Sequence, residues 1–125
     1  MFVTRHVESR RTETPAAVMT TLASPTQGAS EHSLWRVDMQ AGQSGPPHVI
    51  SAEQIWTVLD GSLGVEVGGQ ELTLGPGDTL VIPGGEPRRF RTGPDGGFAA
   101  IVAGPADSRA ALADGSDKGV PGWIV

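Results

Sequence analysis

Between Ala16 and Ala103 the chain is a series of short apolar runs separated by Gly- and Pro-rich breaks. Within several runs apolar and polar residues alternate. Ser33 to Met39 (SLWRVDM) sets Trp35, Val37 and Met39 on one face and Leu34, Arg36 and Asp38 on the other, so the first set is predicted to be buried. Glu53 to Leu59 (EQIWTVL) places Gln54, Trp56 and Val58 on one face and Ile55, Thr57 and Leu59 on the other. Ala16 to Leu22, Leu63 to Val67, Gln70 to Leu74, Thr79 to Ile82, Pro87 to Arg91 and Gly97 to Ala103 read as further strands; Thr79 to Ile82 is apolar and short enough to be a buried one. Asp60-Gly61 and Gly68-Gly69 carry two-residue hairpin signals, and Gly75 to Asp78 and Pro83 to Gly85 are further turns. Eight or nine strands at a spacing near ten residues predict an all-β antiparallel sandwich closed like a jelly roll, with little helix.

A length of 125 residues predicts one domain, and the 18 Gly and 10 Pro favour strands and turns over helices. Residues 1–15, charged and ending at Pro15, read as an N-terminal arm or irregular lead-in; residues 16–104 form the barrel; residues 105–125 form a tail that packs on it. In that tail Ser108 to Ala113 reads as a single helical turn, and Trp123, Ile124 and Val125 are expected to tuck against the barrel.

Charge and composition narrow the partners. Fourteen acidic against nine basic residues give a net charge of −5 with no long basic tract, which argues against nucleic-acid binding. Arg88, Arg89 and Arg91 make a small local cluster. No Cys is present, so disulfides, thiolate ligands and cysteine nucleophiles are excluded. Neither a signal-peptide core nor an apolar stretch of spanning length occurs, so a soluble cytoplasmic protein without a membrane partner is expected.

Two stretches carry a family resemblance. GQSGPPHVISAEQIWTVLDG, from Gly42 to Gly61, resembles the cupin pattern of Gly, five residues, His-x-His, three or four residues, Glu, six residues, Gly, with Gly42, His48 and Gly61 in place. GDTLVIPGGEPRRFRT, from Gly77 to Thr92, resembles the companion pattern, with Gly77, Pro83 and Gly85 in place. The resemblance covers roughly Ser33 to Ala103 and implies a cupin jelly-roll barrel, often dimeric; the N-terminal arm and the outward Ile55 and Leu59 agree with a homodimer. In that family two histidines, a Glu and a further His hold one divalent metal. Here those four positions fall on His48, Ile50, Gln54 and Arg88. A register shifted by one would put Glu53 at the carboxylate position, but the spacings from Gly42 and to Gly61 favour Gln54. Ile has no lone pair and Arg stays protonated, so an ordinary metal cofactor (Zn, Fe, Ni or Mn) is not expected. A metal, if bound, would have to use His48 and Gln54 with an unforeseen third ligand.

The same positions suggest a binding site for a small molecule. His48 is a candidate catalytic base, ligand or hydrogen-bond donor, read against a merely partly buried histidine. Arg88, directed into a barrel, must be paired; a carboxylate, phosphate or enolate oxygen of an anionic ligand would serve, as would an internal bridge to Glu53, Glu66 or Glu86. Gln54 and Trp56 are expected ligand contacts, with a plain core role the alternative for Trp56. His6 and His32, in a tail and a loop, are expected to be solvated. Three functions follow: a metal-independent small-molecule cupin of the tailoring or cyclase type, a metal-dependent oxygenase or isomerase, and a sensing or structural module without turnover. Fold alone does not choose among them.

Overall fold

The computed structural model describes residues 1–125. Its strands are β1 (Arg10–Glu13), β2 (Ala17–Ala23), β3 (His32–Met39), β4 (His48–Ile50), β5 (Gln54–Gly61), β6 (Leu63–Val67), β7 (Gln70–Leu74), β8 (Thr79–Ile82), β9 (Arg88–Arg91), β10 (Phe98–Pro105), β11 (Ala110–Leu112) and β12 (Asp117–Gly119). A single 3-10 turn at His6–Glu8 is the one helical element. Two six-stranded sheets face each other, ordered β1-β2-β3-β10-β5-β8 and β12-β11-β4-β9-β6-β7, and every strand pairing is antiparallel. The predicted two-sheet jelly roll is therefore the fold.

Alternation explains the core. Trp35, Val37 and Met39 of β3 and Trp56 and Val58 of β5 point inward, where they meet Leu63 and Val65 of β6 and Phe90 of β9 from the opposite sheet. Inward apolar faces from two sheets bury one another, at about 1.5–3 kcal/mol per fully buried large side chain. Ile55 and Leu59 stay exposed outside, as their parity requires.

Several elements differ from the sequence reading. Asp60-Gly61 does not close a hairpin: both residues still pair with β10, and the chain then crosses to the other sheet, so β5 and β6 are not neighbours. The positive φ that an Asp-Gly pair offers is used for a corner instead. Gly61 has φ +79°, and a β-carbon there would collide with the Gly97 carbonyl. Gly68-Gly69 does form the predicted tight hairpin, with Val67 opposite Gln70. The turns Gly75 to Asp78 and Pro83 to Gly85 are likewise sheet crossings rather than hairpins. The Thr79–Ile82 run is an edge strand with Val81 52% exposed, not a strand buried on both faces.

The ends of the chain hold more structure than composition suggested. Within the polar lead-in, Arg10–Glu13 pairs with β2; within the tail, Ala110–Leu112 pairs with β4, so the predicted helical turn is a strand. His32 opens β3 rather than lying in the preceding loop, although it is exposed. The expected tuck of the last residues holds for Ile124, which is fully buried, and the carbonyls of Trp123 and Ile124 accept hydrogen bonds from the hydroxyls of Thr21 and Ser33.

Candidate functional site

A cavity of about 590 Å³ lies between the sheets, and most of its wall is apolar. Trp35 of β3, Trp56 of β5 and Phe90 of β9 form its aromatic side, Ile50 of β4 adds aliphatic surface, and Ala16 and Ala17 at the start of β2 with Pro121, Trp123 and Ile124 of the tail complete it. Trp56 and Phe90 are stacked, ring centroids 4.1 Å apart and planes 22° from parallel, across the gap between the two sheets. Phe90 escaped the sequence reading. Its signal was present, because two residues past Arg88 on the same strand is the same face.

Polar side chains on the wall are Thr14, Ser44, His48, Gln54 and Lys118. Two of these are already engaged: Thr14 Oγ1 exchanges hydrogen bonds with the Ala17 backbone, and Ser44 Oγ accepts from Arg89 Nε. Of the rest, His48 keeps Nε2, Gln54 keeps its amide N–H groups and Lys118 keeps its ammonium free for a ligand, and the Ser44 hydroxyl retains its own proton to donate.

His48 begins β4, where its Nδ1 lies 2.9 Å from the Pro46 carbonyl. A carbonyl only accepts, so Nδ1 carries the proton and the neutral ring keeps its lone pair on Nε2. Burial pulls the imidazole below its ordinary pKa, the Pro46 bond opposes that, and the nearby Arg88 charge lowers it further. Neutral His48 is therefore the prevailing form at neutral pH.

Gln54 opens β5 and is buried. Its Oε1 accepts from Trp56 Nε1 at 3.2 Å and from Arg88 Nη1 at 3.3 Å. Lys118, on β12, is exposed at the cavity wall and forms no ion pair.

Arg88 is where the sequence reading needs correction. The residue is 2% exposed and faces inward, opposite His48 in the β4–β9 register, yet it is not part of the cavity wall. All three of its nitrogens donate to protein acceptors: Nε and Nη2 reach the Glu86 carbonyl, Nη2 also the Pro83 carbonyl, and Nη1 reaches Gln54. None of the bridges weighed from sequence, to the carboxylates of Glu53, Glu66 or Glu86, is formed. Backbone carbonyl dipoles hold this cation instead. Burial pulls its pKa down to about 10, against the favourable Glu86 charge, which leaves it protonated at neutral pH. His48, Gln54 and Arg88 thus converge as expected, with Arg88 behind Gln54 rather than beside it.

The four positions do not fit a metal ion. Ile50 offers no donor atom, Arg88 is a buried cation, and the single oxygen of Gln54 is turned toward Arg88 and Trp56. Only His48 retains a lone pair suited to coordination, and no group of three His, Cys, Asp or Glu residues is assembled anywhere in the structure.

The comparisons agree with this architecture. The model of the cupin domain matches residues 35–103. The polyketide cyclase RemF from Streptomyces resistomycificus is 28% identical, with a TM-score of 0.75 over 86% of this chain and 81% of the cyclase. DMSP lyase DddQ from Ruegeria pomeroyi DSS-3 is 27% identical, with a TM-score of 0.72 over 92% of this chain and 61% of the lyase. A sugar phosphate isomerase of the cupin superfamily from Silicibacter pomeroyi DSS-3 has a TM-score of 0.63 at 20% identity, covering 77% of this chain and 66% of the isomerase. No curated protein matches the sequence.

Proposed function

The chain belongs to the cupin family, and from that premise we propose that it binds a carbonyl-bearing, ring-containing small molecule and moves a proton on it with His48 as the base. The observation that carries this reading is the pairing of a largely apolar, aromatic-walled cavity with one neutral imidazole whose Nε2 lone pair has no partner within the protein. A cavity of this size suits a ring system of drug-like dimensions. Trp56 and Phe90, stacked on each other, close one side of it with aromatic surface.

Likeness to a polyketide cyclase supports the same class. Polyketides are chains of carbonyls separated by single carbons, and closing a ring from them by aldol chemistry begins with removal of a proton beside a carbonyl. The electron pair of that C–H bond moves into the enolate and the proton goes to His48 Nε2. The enolate carbon attacks a second carbonyl to form the ring C–C bond as that C=O π bond becomes an alkoxide, and the imidazolium returns the proton to this alkoxide. No redox partner is required. The lowered pKa keeps His48 in its neutral, proton-accepting form at neutral pH, at some cost in basicity.

The experiment uses 2-tetralone as probe. Exchange of its C1 protons in D₂O near neutral pH, followed by proton NMR, should run at least about tenfold faster with the protein than in buffer, since positioned bases contribute about 10²–10⁴-fold in full active sites. His48→Ala should return it to the buffer rate. No acceleration by the folded wild type, or equal acceleration by His48→Ala, overturns the proposal.

A further inference from the structure

We infer that Gln54 is the oxygen-binding residue of this cavity, presenting its amide N–H groups to a carbonyl or enolate oxygen of the ligand, and that Arg88 and Trp56 fix it in that orientation. The inference deepens the reading of the cavity as a site for a carbonyl compound and rests on it.

The orientation of a glutamine amide is set by its hydrogen-bond partners. Both neighbours of this one are obligate donors. Trp56 Nε1–H and the Arg88 guanidinium have no acceptor atom to offer, so the atom 3.2 Å from the first and 3.3 Å from the second is the amide oxygen. Reversing the amide would set N–H against N–H on both contacts. The Nε2 group is thereby directed to the other side, where no hydrogen bond within the protein engages it, and Gln54 is a wall residue of the cavity. Two N–H donors are left for a ligand.

Charge strengthens the assignment. Arg88 is a buried guanidinium that forms no ion pair with a carboxylate, and it donates directly to Gln54 Oε1. Drawing electron density toward that oxygen makes the Nε2 hydrogens better donors, as hydrogen-bond chains polarise one another in a low-dielectric interior. The result is the opposite of a metal site. Where cation-binding cupins place electron-pair donors toward the cavity, this chain places N–H groups backed by a fixed positive charge. Such a seat is complementary to an oxygen that gains negative charge as a neighbouring C–H is deprotonated. His48 Nε2 supplies the acceptor for that proton from β4. Gln54 is then the residue that touches the ligand, and Arg88 is a positioning residue that acts through it.

The ligand class this implies is a ring compound with a carbonyl acceptor, discriminated from its hydrocarbon counterpart. A suitable pair of probes is 2-acetylnaphthalene and 2-isopropylnaphthalene, similar in shape, with and without the oxygen. Dissociation constants are measured for both by quenching of the protein's tryptophan fluorescence. The central variant is Gln54→Glu, whose carboxylate still accepts from Trp56 and Arg88 and gains an ion pair with the latter, so the fold is retained. It replaces the amide N–H groups with a second oxygen. The ketone should bind about 3–10-fold more weakly than to wild type, the range expected for one lost hydrogen bond, while the hydrocarbon stays within about twofold. The side-chain NH₂ resonances of Gln54 should shift with the ketone and not with the hydrocarbon.

Arg88 is tested by the ratio of the two affinities rather than by stability. Arg88→Met frees the amide to rotate and should lower the ketone preference; Arg88→Lys keeps a cationic donor and should restore it. Equal weakening of both probes in Gln54→Glu, or tighter ketone binding, overturns the inference while leaving the cavity as a ring-binding site. Failure of both probes to bind the wild type removes the proposed function itself, and this inference with it.

Discussion

The two faces of β9 hold their arginines in opposite ways. Arg88, on the inner face, is buried among carbonyl oxygens and one amide, with no carboxylate paired to it and only the Glu86 charge nearby. Arg91, three residues on and outward, lies between Glu66 and Glu71 with nearly half its side chain in water. Outside, charge is cancelled by charge and screened by solvent; inside, it is solvated by dipoles and remains net positive. The comparison shows why the same residue type serves two purposes on one strand. An exposed ion pair tidies a surface at little energetic consequence, whereas an unneutralised buried cation sets the electrostatic sign of everything packed against it.

The largest effect should come from removing the inner arginine. Arg88→Ala leaves the Pro83 and Glu86 carbonyls and part of Gln54 without their donors and opens a void behind β5. The buried Gln54 oxygen left without its cationic donor costs about 1–3 kcal/mol, while the part-buried Pro83 and Glu86 carbonyls regain part of their loss from water. The void adds its own cost, and no longer burying a charge offsets some of the total. A net loss of about 2–4 kcal/mol is expected in urea denaturation, with the Pro83 to Pro87 turn the first segment to lose protection in hydrogen exchange. Arg88→Lys, which keeps the charge but not the planar fork, should fall between wild type and Ala. If Arg88→Ala costs no more than Arg91→Ala, the contrast between the faces is wrong.

A smaller effect is expected from pH, through His48. Its folded pKa lies below the ordinary 6.5, so as pH falls the unfolded chain takes up this proton first. The contribution of neutral His48 is complete above about pH 6.5 and is lost as pH falls through the folded value. Urea denaturation between pH 7.5 and 5 should show that slope in the wild type and not in His48→Gln. Arg88 is one cause of the depression, so in Arg88→Met the loss should still begin near pH 6.5 but end at a higher pH and be smaller in total. An unchanged profile in that variant would detach the inner cation from His48.

Much of the frame was legible before any coordinates. Period-two alternation placed Trp35, Val37, Met39, Gln54, Trp56 and Val58 inward because each strand buries one face against the opposite sheet, and that parity survives any uncertainty in connectivity. Connectivity was harder. Asp60-Gly61 resembles a hairpin turn because both a hairpin and a corner want a positive φ without a β-carbon, and only the partner strand tells them apart. The site divided in the same way. That Gln54 and Arg88 face inward followed from the resemblance to the two cupin motifs, with alternation carrying Trp56 and Val58 along; that Arg88 stands behind Gln54 depends on where the Pro83 and Glu86 carbonyls fall, which no sequence pattern encodes. The strands β1, β11 and β12 sit in polar or small-residue segments whose pairing is supplied by β2 and β4, not by their own composition.

The smallest effect is reserved for the outer face, and it bounds the comparison from below. Arg91→Ala removes contacts to Glu66 and Glu71 that are partly exposed and joined by a long, mobile side chain. Pairs of this kind contribute about 0.2–1 kcal/mol, because Coulomb attraction in a high-dielectric surround is offset by the entropy of holding the side chains together. Like-charge repulsion between Glu66 and Glu71, directly opposite each other on β6 and β7, would add a little once the cation is gone. The loss should therefore stay within about 1 kcal/mol and shrink as salt is raised from about 0.05 to 0.5 M, where the screening length falls well below 10 Å. Measured in the same salt series, the Arg88→Ala loss should hold nearly constant, since the guanidinium is buried and its partners are neutral carbonyl and amide dipoles rather than charges. A salt-insensitive Arg91 or a salt-sensitive Arg88 would mean that the two faces of β9 share one electrostatic environment.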